Sequence, residues 1–441
     1  MNNDKFKTNF FLLLIVLTAC DYNSENIENK IEGTYIGDFK YGNFEIQIEF
    51  DISRDLTGFK TFFTSLKQNA YRIPTRDVVV SGDSIKFVLQ SDYYTYQFSN
   101  KYHSKTKTLT GVLNVESISY PYELKKQELE NKEALTREDV KFESNRLSLQ
   151  GTIWLPSNPK NQGLFFVTSS GLADRSSTSS EALYFVKKGF TIFHFDKRGT
   201  GKSEGDLNNV TIEELTTDDI NAIHFFSKKV NIPLSKIGII GSSQGGAKVP
   251  LMLNKIPELG YGISVSTPGS TLRESDLNFM MNRLREQIDE EFIETATHVQ
   301  RGVFEYLNGE LSRRELEKRL GKYENSEWYQ QLWIPELTDE ILYDPSYSPI
   351  PHFEKVKHPI LIVQGMSDIV IPRNSHKVIE NALKKANNEN FNIVTIEYAS
   401  HSMTYEGESD FPYWSKLEPS YLPTILKWIN TVSNRVGGSG R

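Results

Sequence analysis

The sequence predicts a small antiparallel β unit followed by a larger α/β domain with a mostly parallel sheet. Two observations lead to this fold class. Residues 31–125 contain stretches with apolar side chains at every second position, as in Glu45–Phe50, and glycines separate them. From about residue 138 onward, apolar runs alternate with helical patterns. That alternation is typical of a parallel sheet covered by helices on both faces.

The composition supports a folded protein and excludes several classes. The 441 residues include 50 Lys plus Arg and 57 Asp plus Glu, so the net charge of −7 offers no attraction to nucleic acid or anionic lipid. Hydrophobic residues make up 38% of the chain, which is enough for a substantial core. The single cysteine excludes an intrachain disulfide framework and a cysteine-cluster metal site.

The N-terminal segment looks like an export signal. Lys5 and Lys7 precede an apolar run, residues 10–17, that is too short for a comfortable membrane span. The run ends in Leu17-Thr18-Ala19-Cys20, which resembles the bacterial lipobox. We therefore expect residues 1–19 to be removed, Cys20 to be lipidated and residues 20–30 to act as a polar tether. The expected location is the cell envelope, on the periplasmic side or at the outer membrane.

Changes in pattern divide the remainder of the chain. Residues 31–125 form the predicted β unit, with turns expected at Gly58, Gly82 and Gly111, and the charged residues 126–137 form a linker. Residues 138–436 form the α/β domain, and residues 437–441 look like an added tail. The predicted strands of the α/β domain, after an antiparallel hairpin at Val140–Leu155, are Gly163–Thr168, Phe190–Phe195, Lys236–Ile240, Gly260–Ser266, Pro359–Val363 and Asn392–Tyr398.

A helical segment interrupts these strands. Residues 272–345 lack strand signals, and apolar side chains recur at three- or four-residue spacing. These are Leu277, Met281, Leu284, Ile288 and Phe292. Because the segment lies between two predicted sheet strands, we expect it to form an inserted helical cap.

The most informative motif is a Gly-x-Ser-x-Gly sequence centred on Ser243. The apolar strand candidate ending at Ile240 runs directly into Gly241-Ser242-Ser243-Gln244-Gly245, and a helical pattern follows. A serine on a strand-to-helix turn is lifted clear of the sheet, and glycines two positions to either side leave room for the sharp bend. The helix N-terminus behind it favours developing negative charge. Ser243 is therefore the candidate nucleophile.

Over roughly residues 138–432 the chain resembles the α/β-hydrolase superfamily. More narrowly, it resembles serine esterases, thioesterases and aminopeptidase-like hydrolases with an N-terminal β domain and a helical cap. Three further motifs carry this resemblance: Asp196–Ser203, Gln364–Pro372 and Tyr398–His401. The resemblance implies an α/β-hydrolase fold, no metal and no organic cofactor.

The same resemblance implies a catalytic triad in the order Ser243, Asp368 and His401. An imidazole suits the base because the ordinary pKa of histidine lies near neutrality. Asp368 would hold the imidazole tautomer and offset the charge of the imidazolium. Asp196 is a rival acid, but it lies before the nucleophile on a motif that braces a loop in the family.

The oxyanion hole should use two backbone N–H groups. One is predicted at Gln244, directly after the nucleophile. The other is predicted in residues 167–175, where Gly171 is the first choice and Leu172 the alternative. Ser169 stands where related hydrolases usually have glycine, and Asp174 with Arg175 fits either the family motif or an exposed loop pair.

The combined prediction is a serine hydrolase that cleaves a carboxylic ester or thioester of a small-molecule acyl substrate. Two alternatives remain: an exopeptidase of aminopeptidase type on the same fold, and a non-catalytic surface-binding lipoprotein. The cap glutamates Glu286, Glu290, Glu291 and Glu294 could grip the ammonium group of a peptide, although their spacing is also that of a solvated helix face. No nucleic-acid partner or obligate protein partner is expected, and the only membrane contact expected is the lipid on Cys20.

Overall fold

A computed structural model describes residues 30–438, with gaps at 42–43, 56, 69, 91–94, 116, 128–134, 208–209, 336, 338–345 and 408–416. The predicted signal, Cys20 and nearly all of the predicted tether lie outside the described residues. The chain divides into two compact units. The first contains most of a nine-stranded sheet, and the second contains an eight-stranded sheet.

The N-terminal sheet is antiparallel and has the strand order β4-β3-β2-β1-β9-β8-β7-β6-β5. Its strands are longer than the sequence pattern suggested. They are β1 (Gly33–Tyr41), β2 (Phe44–Asp55), β3 (Gly58–Ser65), β4 (Ala70–Pro74), β5 (Arg76–Ser81), β6 (Ser84–Gln90), β7 (Thr95–His103), β8 (Thr108–Val115) and β9 (Ile118–Lys126).

Alternating burial organises this sheet. Along β6 and β7 every second side chain is buried, and the Phe50 ring meets the rings of Phe87 and Phe98 at centroid separations of 4.9 and 5.0 Å. The prediction of a turn at Gly111 is wrong, because Gly111 lies inside β8. A Cβ atom there would come within 2.5 Å of the Tyr122 ring, so glycine is required by the close approach of a neighbouring aromatic side chain.

The second unit alternates strands and helices as predicted. Its strands are β10 (Thr136–Ser144), β11 (Leu147–Leu155), β12 (Gly163–Phe166), β13 (Thr191–Phe195), β14 (Ile237–Ser242), β15 (Tyr261–Val265), β16 (Ile360–Gly365) and β17 (Phe391–Ile396). Its helices are α1 (Ser179–Val186), α2 (Ile212–Val230), α3 (Gln244–Lys255), α4 (Leu272–Gln287), α5 (Glu290–Leu307), α6 (Arg313–Gly321), α7 (Ile350–Phe353), α8 (Ser375–Lys385) and α9 (Tyr421–Gly438).

The strand order of the second sheet is β10-β11-β13-β12-β14-β15-β16-β17. The leading hairpin β10-β11 is antiparallel, and the pairs from β13 to β17 are parallel. The predicted α/β class and the leading hairpin are therefore confirmed. Parallel strands bring their carboxyl ends to one edge of the sheet, and ligands bind at that edge in open α/β sheets.

Burial on both faces explains why the central strands are continuous apolar runs. Every residue of β12, β13, β15 and β16 is buried. Along β12, Phe165 joins one core cluster while Leu164 and Phe166 join the cluster on the opposite face. The two-sided core fixes the strand register and makes the sheet a rigid platform for the loops at its edge.

Helices α4, α5 and α6 and the short 3-10 helix Glu327–Gln331 form the inserted segment between β15 and β16. They share an apolar core of their own that includes Leu277, Leu284 and Trp328. The predicted apolar stripe does not continue through one helix, because α4 ends at Gln287 and the Phe292 side chain is 39% exposed.

The predicted segment boundaries differ from the observed element ends in three places. Strand β9 ends at Lys126 and strand β10 begins at Thr136, so the first residue and the last two residues of the predicted linker belong to strands. Helix α9 extends to Gly438, two residues into the predicted tail. Within the described residues, none of the helices combines the length and apolar composition needed to cross a bilayer.

Candidate active site

Ser243, the predicted nucleophile, lies on the tight turn between β14 and α3. We call residues 241–245 the nucleophile turn. The Ser243 backbone has φ 54° and ψ −122°, a conformation that non-glycine residues rarely adopt. The Ser243 N–H donates to the Val265 carbonyl at 2.9 Å, which ties the turn to the end of β15. A Cβ atom on Gly241 would lie 2.4 Å from the Gly245 carbonyl carbon and oxygen, so the bend requires glycine at this position.

The predicted acid and base are in contact. The Nδ1–H of His401 donates to Oδ2 of Asp368 at 2.9 Å. The Asp368 side chain is fully buried, whereas 21% of the imidazole surface is exposed. The other carboxylate oxygen of Asp368 accepts the N–H groups of Val370 at 2.8 Å and Ile371 at 3.2 Å. These backbone donors hold the carboxylate in the orientation that fixes the imidazole.

Backbone contacts bring the histidine loop to the nucleophile turn. The carbonyl of Val265 accepts the Ser243 N–H, and the next residue, Ser266, donates its hydroxyl to the His401 carbonyl at 2.7 Å. Asp368 follows β16 and His401 follows β17, so all three predicted triad residues lie at the carboxyl edge of the sheet. The half-buried serine and the partly exposed imidazole therefore lie at the same edge of the sheet. Their backbones are linked through Val265 and Ser266.

The strand end at residues 167–169 packs over the nucleophile turn. The Ser169 hydroxyl donates to the Ser242 carbonyl at 2.8 Å, and a Cβ on Gly245 would lie 2.9 Å from the Val167 carbonyl oxygen. Gln244 is the first residue of α3, where its N–H has no intrahelical acceptor. Gly171, the predicted second donor, has φ +70° and is exposed, and the alternative Leu172 is 79% exposed. Among residues 169–172, Ser169 is the one whose side chain is hydrogen-bonded to the turn.

A fully buried ion pair lies behind this strand end. The Lys248 ammonium on α3 donates to Asp219 on α2 at 2.6 Å, and neither side chain has any exposed surface. Lys248 also donates to the Thr168 hydroxyl at 2.7 Å, and Asp219 accepts the Thr168 N–H at 3.0 Å. This pair could not be identified from the sequence, since Asp219 and Lys248 lie on different helices and neither helix's own pattern points to the partner.

Asp196 braces a loop, as predicted from the sequence. Its buried carboxylate accepts the backbone N–H groups of Arg175 and Lys202, each at 2.9 Å, and it forms an ion pair with the Arg175 guanidinium. Only 11% of the Arg175 side chain is exposed, so Asp174 and Arg175 are not a simple exposed pair. Asp174 instead caps the 3-10 turn Arg175–Thr178 by accepting the Ser176 N–H at 2.8 Å.

A cavity of about 80 Å³ adjoins the nucleophile turn and is lined by Ser169, Ser170 and Ser242. Burial perturbs three titratable groups that also line it. It lowers the pKa of His194 to about 3, helped by the positive charge of Arg175, and raises the pKa of Glu181 to about 7. It also lowers the pKa of Lys197 to about 8, helped by the ammonium of Lys248.

The cap contacts the loop that carries the acid. On α4, Asn278 donates its side-chain amide to the Val370 carbonyl at 2.9 Å, and Asn282 donates to the Ile369 carbonyl at 2.8 Å. A second cavity, of about 310 Å³, lies between α4 and this loop, with Glu274 and Arg301 in its wall. The Arg301 guanidinium donates to the Glu274 carboxylate at 2.7 Å, so its positive charge balances the negative charge of this carboxylate.

The other cap residues singled out from sequence have ordinary surroundings. Trp328 is buried in the cap core near Tyr323, and Trp333 stacks on Phe304 at a centroid distance of 5.6 Å. The four glutamates that could have gripped an ammonium group are exposed on α4 and α5, as expected for a solvated face: Glu286, Glu290, Glu291 and Glu294.

Comparison with known proteins places this site in a family context. Residues 163–408, more than half of the chain, match the family model described as "Serine aminopeptidase, S33". That range includes Ser243, Asp368 and His401. Two Escherichia coli proteins, each described as an uncharacterized 31.7 kDa protein in the traX-finO intergenic region, are 26% identical over 230 residues. The match covers 51% of this chain and 77% of each relative.

Two solved structures align with this chain over most of their own length. An esterase from Pyrococcus furiosus aligns with a TM-score of 0.44 and 13% identity, covering 69% of this chain and 94% of the esterase. A proline iminopeptidase from Mycobacterium smegmatis aligns with a TM-score of 0.42 and 14% identity, covering 68% and 98% of the two chains. At these values the likeness says nothing about the substrate.

Replacing Asp219 by alanine tests the buried ion pair. The change strands the Lys248 ammonium in the interior, so the free energy of unfolding should fall by about 3–5 kcal/mol in urea titrations. Replacing both residues, Asp219→Leu with Lys248→Met, should cost less because no buried charge remains. Lys384→Ala, which breaks an exposed pair with Glu380, should change stability by less than about 1 kcal/mol. Wild-type stability of the Asp219→Ala protein would contradict this interpretation.

Proposed function

Because this chain belongs to the serine aminopeptidase family S33, we propose that it is a serine hydrolase that cleaves an ester or thioester through an acyl-enzyme on Ser243. The family consists of α/β hydrolases, and the predicted fold is confirmed. The observation that carries the proposal is the hydrogen bond of 2.9 Å from His401 to buried Asp368, at the edge where Ser243 occupies its left-handed turn.

The proposed reaction uses the imidazole twice. Because Nδ1–H donates to Asp368, Nε2 is left as the basic nitrogen that takes the Ser243 hydroxyl proton. The serine oxygen then bonds to the acyl carbon, and the carbonyl π electrons move onto its oxygen. Collapse of this tetrahedral oxyanion breaks the bond to the leaving group, which receives the proton from the imidazolium. Water, deprotonated by the same histidine, hydrolyses the acyl-enzyme and regenerates Ser243.

Backbone N–H groups at the turn supply the proposed oxyanion stabilisation. Gln244 begins α3, so its N–H and the positive end of the helix dipole lie next to the serine. The second donor is proposed within residues 169–172, the loop that contains Gly171 and Leu172. Fixed donors stabilise developing charge because they need not reorganise during the reaction.

The cap carboxylates give no support to the exopeptidase alternative. An aminopeptidase needs an unpaired carboxylate facing the substrate ammonium. In the cavity beside α4, Glu274 is neutralised by Arg301. The four cap glutamates considered in the sequence analysis are exposed to solvent. The name of the family nevertheless makes peptide substrates the second candidate.

Turnover of two matched substrates separates these candidates. We expect kcat/KM for a short-chain p-nitrophenyl ester to exceed that for an aminoacyl p-nitroanilide by more than the ratio of their uncatalysed rates. Capping the amino group of the anilide provides the control, since an aminopeptidase loses activity when the ammonium is removed. A high kcat/KM for the free anilide that disappears on capping would overturn the ester assignment.

We also propose that the mature enzyme is held at the membrane by lipid on Cys20. The support is the Leu17-Thr18-Ala19-Cys20 sequence after a short apolar run. Expressed with its leader in a bacterium, the wild-type chain should partition into the detergent phase and incorporate radiolabelled palmitate. Cys20→Ser should do neither, whereas equal labelling of the Cys20→Ser chain would refute the anchor.

Removing the nucleophile tests the triad. Ser243→Ala should lower kcat for the ester by at least about 1,000-fold, because no hydroxyl remains to form the acyl-enzyme. Asp368→Asn should also lower kcat strongly by favouring the wrong imidazole tautomer. Ser235→Ala, at the opposite end of β14, should retain wild-type turnover. Full activity of the Ser243→Ala protein would exclude the proposed mechanism.

A further inference from the structure

We propose that Lys197 orients the Ser169–Ser170 peptide so that the Ser170 N–H is the second donor of the oxyanion hole. This inference rests on the proposed acyl-transfer function and makes Lys197 a positioning residue. The observed contact is a hydrogen bond of 2.5 Å from the Lys197 ammonium to the Ser169 carbonyl. Under this proposal the second donor is the N–H of Ser170, whereas the sequence predicted that of Gly171.

Peptide geometry connects the ammonium to the donor. The Ser169 carbonyl and the Ser170 N–H belong to one planar trans peptide, so the two groups point in opposite directions. An ammonium that holds the carbonyl therefore also fixes the direction of the N–H. The ion further polarises the peptide, which strengthens the N–H as a donor. Among the residues that the structure describes, no acceptor is found for the Ser170 N–H.

Contacts of the preceding residues fix the position of the Ser169–Ser170 peptide. Immediately before it, Thr168 is held by Asp219 and Lys248, and the Ser169 hydroxyl is bonded to the Ser242 carbonyl beside the nucleophile. Ser170, Gly171 and Leu172 are all exposed, and a Cβ atom added to Gly171 would meet no atom within 4 Å. A useful oxyanion donor must be preorganised, and the peptide whose carbonyl is held by Lys197 meets that requirement better than Gly171 or Leu172.

The charge on Lys197 should make the arrangement depend on pH. Lys197 is buried, and its pKa is lowered to about 8, so it is an ammonium below that pH and a neutral amine above it. The charged and titratable groups near it are Asp196 and Arg198 in its own loop, Lys248 on α3, Asp219 on α2, and Asp174, Arg175, Glu181 and His194 around the shared cavity.

Two of these groups have pKa values below that of Lys197. The pKa of Glu181 is raised to about 7 by burial, so its ionisation belongs to the acidic side of the activity profile. The pKa of His194 is lowered to about 3, so it stays neutral throughout the range of interest. A fall in kcat as the pH rises through about 8 is therefore assigned to loss of the ammonium proton of Lys197 if it disappears in variants that lack this lysine.

The test is the profile of kcat against pH from 6 to 10 for a p-nitrophenyl ester. Wild-type kcat should fall above about pH 8, with little change in KM. Lys197→Met should lower kcat at pH 7 roughly 10- to 100-fold, less than loss of an oxyanion donor itself, and should abolish the alkaline fall. Lys197→Arg keeps a cation at all these pH values, so it should retain more activity and also lack the fall near pH 8.

Controls separate this inference from the proposed function and from misfolding. Lys202→Met removes an exposed lysine from the same loop and should keep both the wild-type kcat and the alkaline fall. Melting temperatures check folding, and Lys197→Arg carries the test if Lys197→Met does not fold. Unchanged kcat and pH profiles in the Lys197 variants, with Ser243→Ala inactive, would overturn the role of Lys197 alone. Activity in Ser243→Ala would overturn the proposed mechanism itself.

Discussion

The site depends on the left-handed backbone of Ser243. A side chain in this conformation carries a strain of about 1–3 kcal/mol, which persists only where the surroundings enforce it. Here the enforcement comes from Gly241 packed on Gly245 and from the Ser243 N–H bonded to Val265. The result is a hydroxyl raised at the carboxyl edge of a sheet that is buried on both faces, next to the loop that carries His401.

Buried charge acts together with the apolar packing of Val167 to position the strand end that covers this turn. A buried ion pair is a poor source of stability, because desolvation offsets the attraction between its charges. The pair of Lys248 and Asp219 nevertheless satisfies both the hydroxyl and the N–H of Thr168, and Lys197 holds the next carbonyl. Such directional contacts fix the position of a peptide in a way that non-directional apolar contacts do not. The chain thus uses buried polar groups for geometry at its site.

The fold, and the placement of the three proposed triad residues at one edge of the sheet, could be predicted because their signals are local. The strand before Gly241 and the helix after Gly245 are visible as periodicity, and the residues around Asp368 and His401 stand directly after predicted strands. The buried network could not be predicted, since Thr168, Asp219 and Lys248 come from three separate elements and no pattern in one element identifies its partners. Gly111 was misread as a turn for the same reason: the Tyr122 ring that excludes a side chain lies on the adjacent strand.

The central claim is that Ser243, activated by His401 and Asp368, is the nucleophile. The most direct measurement is to treat the protein with a fluorophosphonate and locate the adduct by peptide mass spectrometry. We expect one phosphonylated residue, Ser243, with labelling that is lost when His401 is replaced by alanine. Absence of an adduct, or an adduct on Ser169, Ser170 or Ser242 instead, would contradict it.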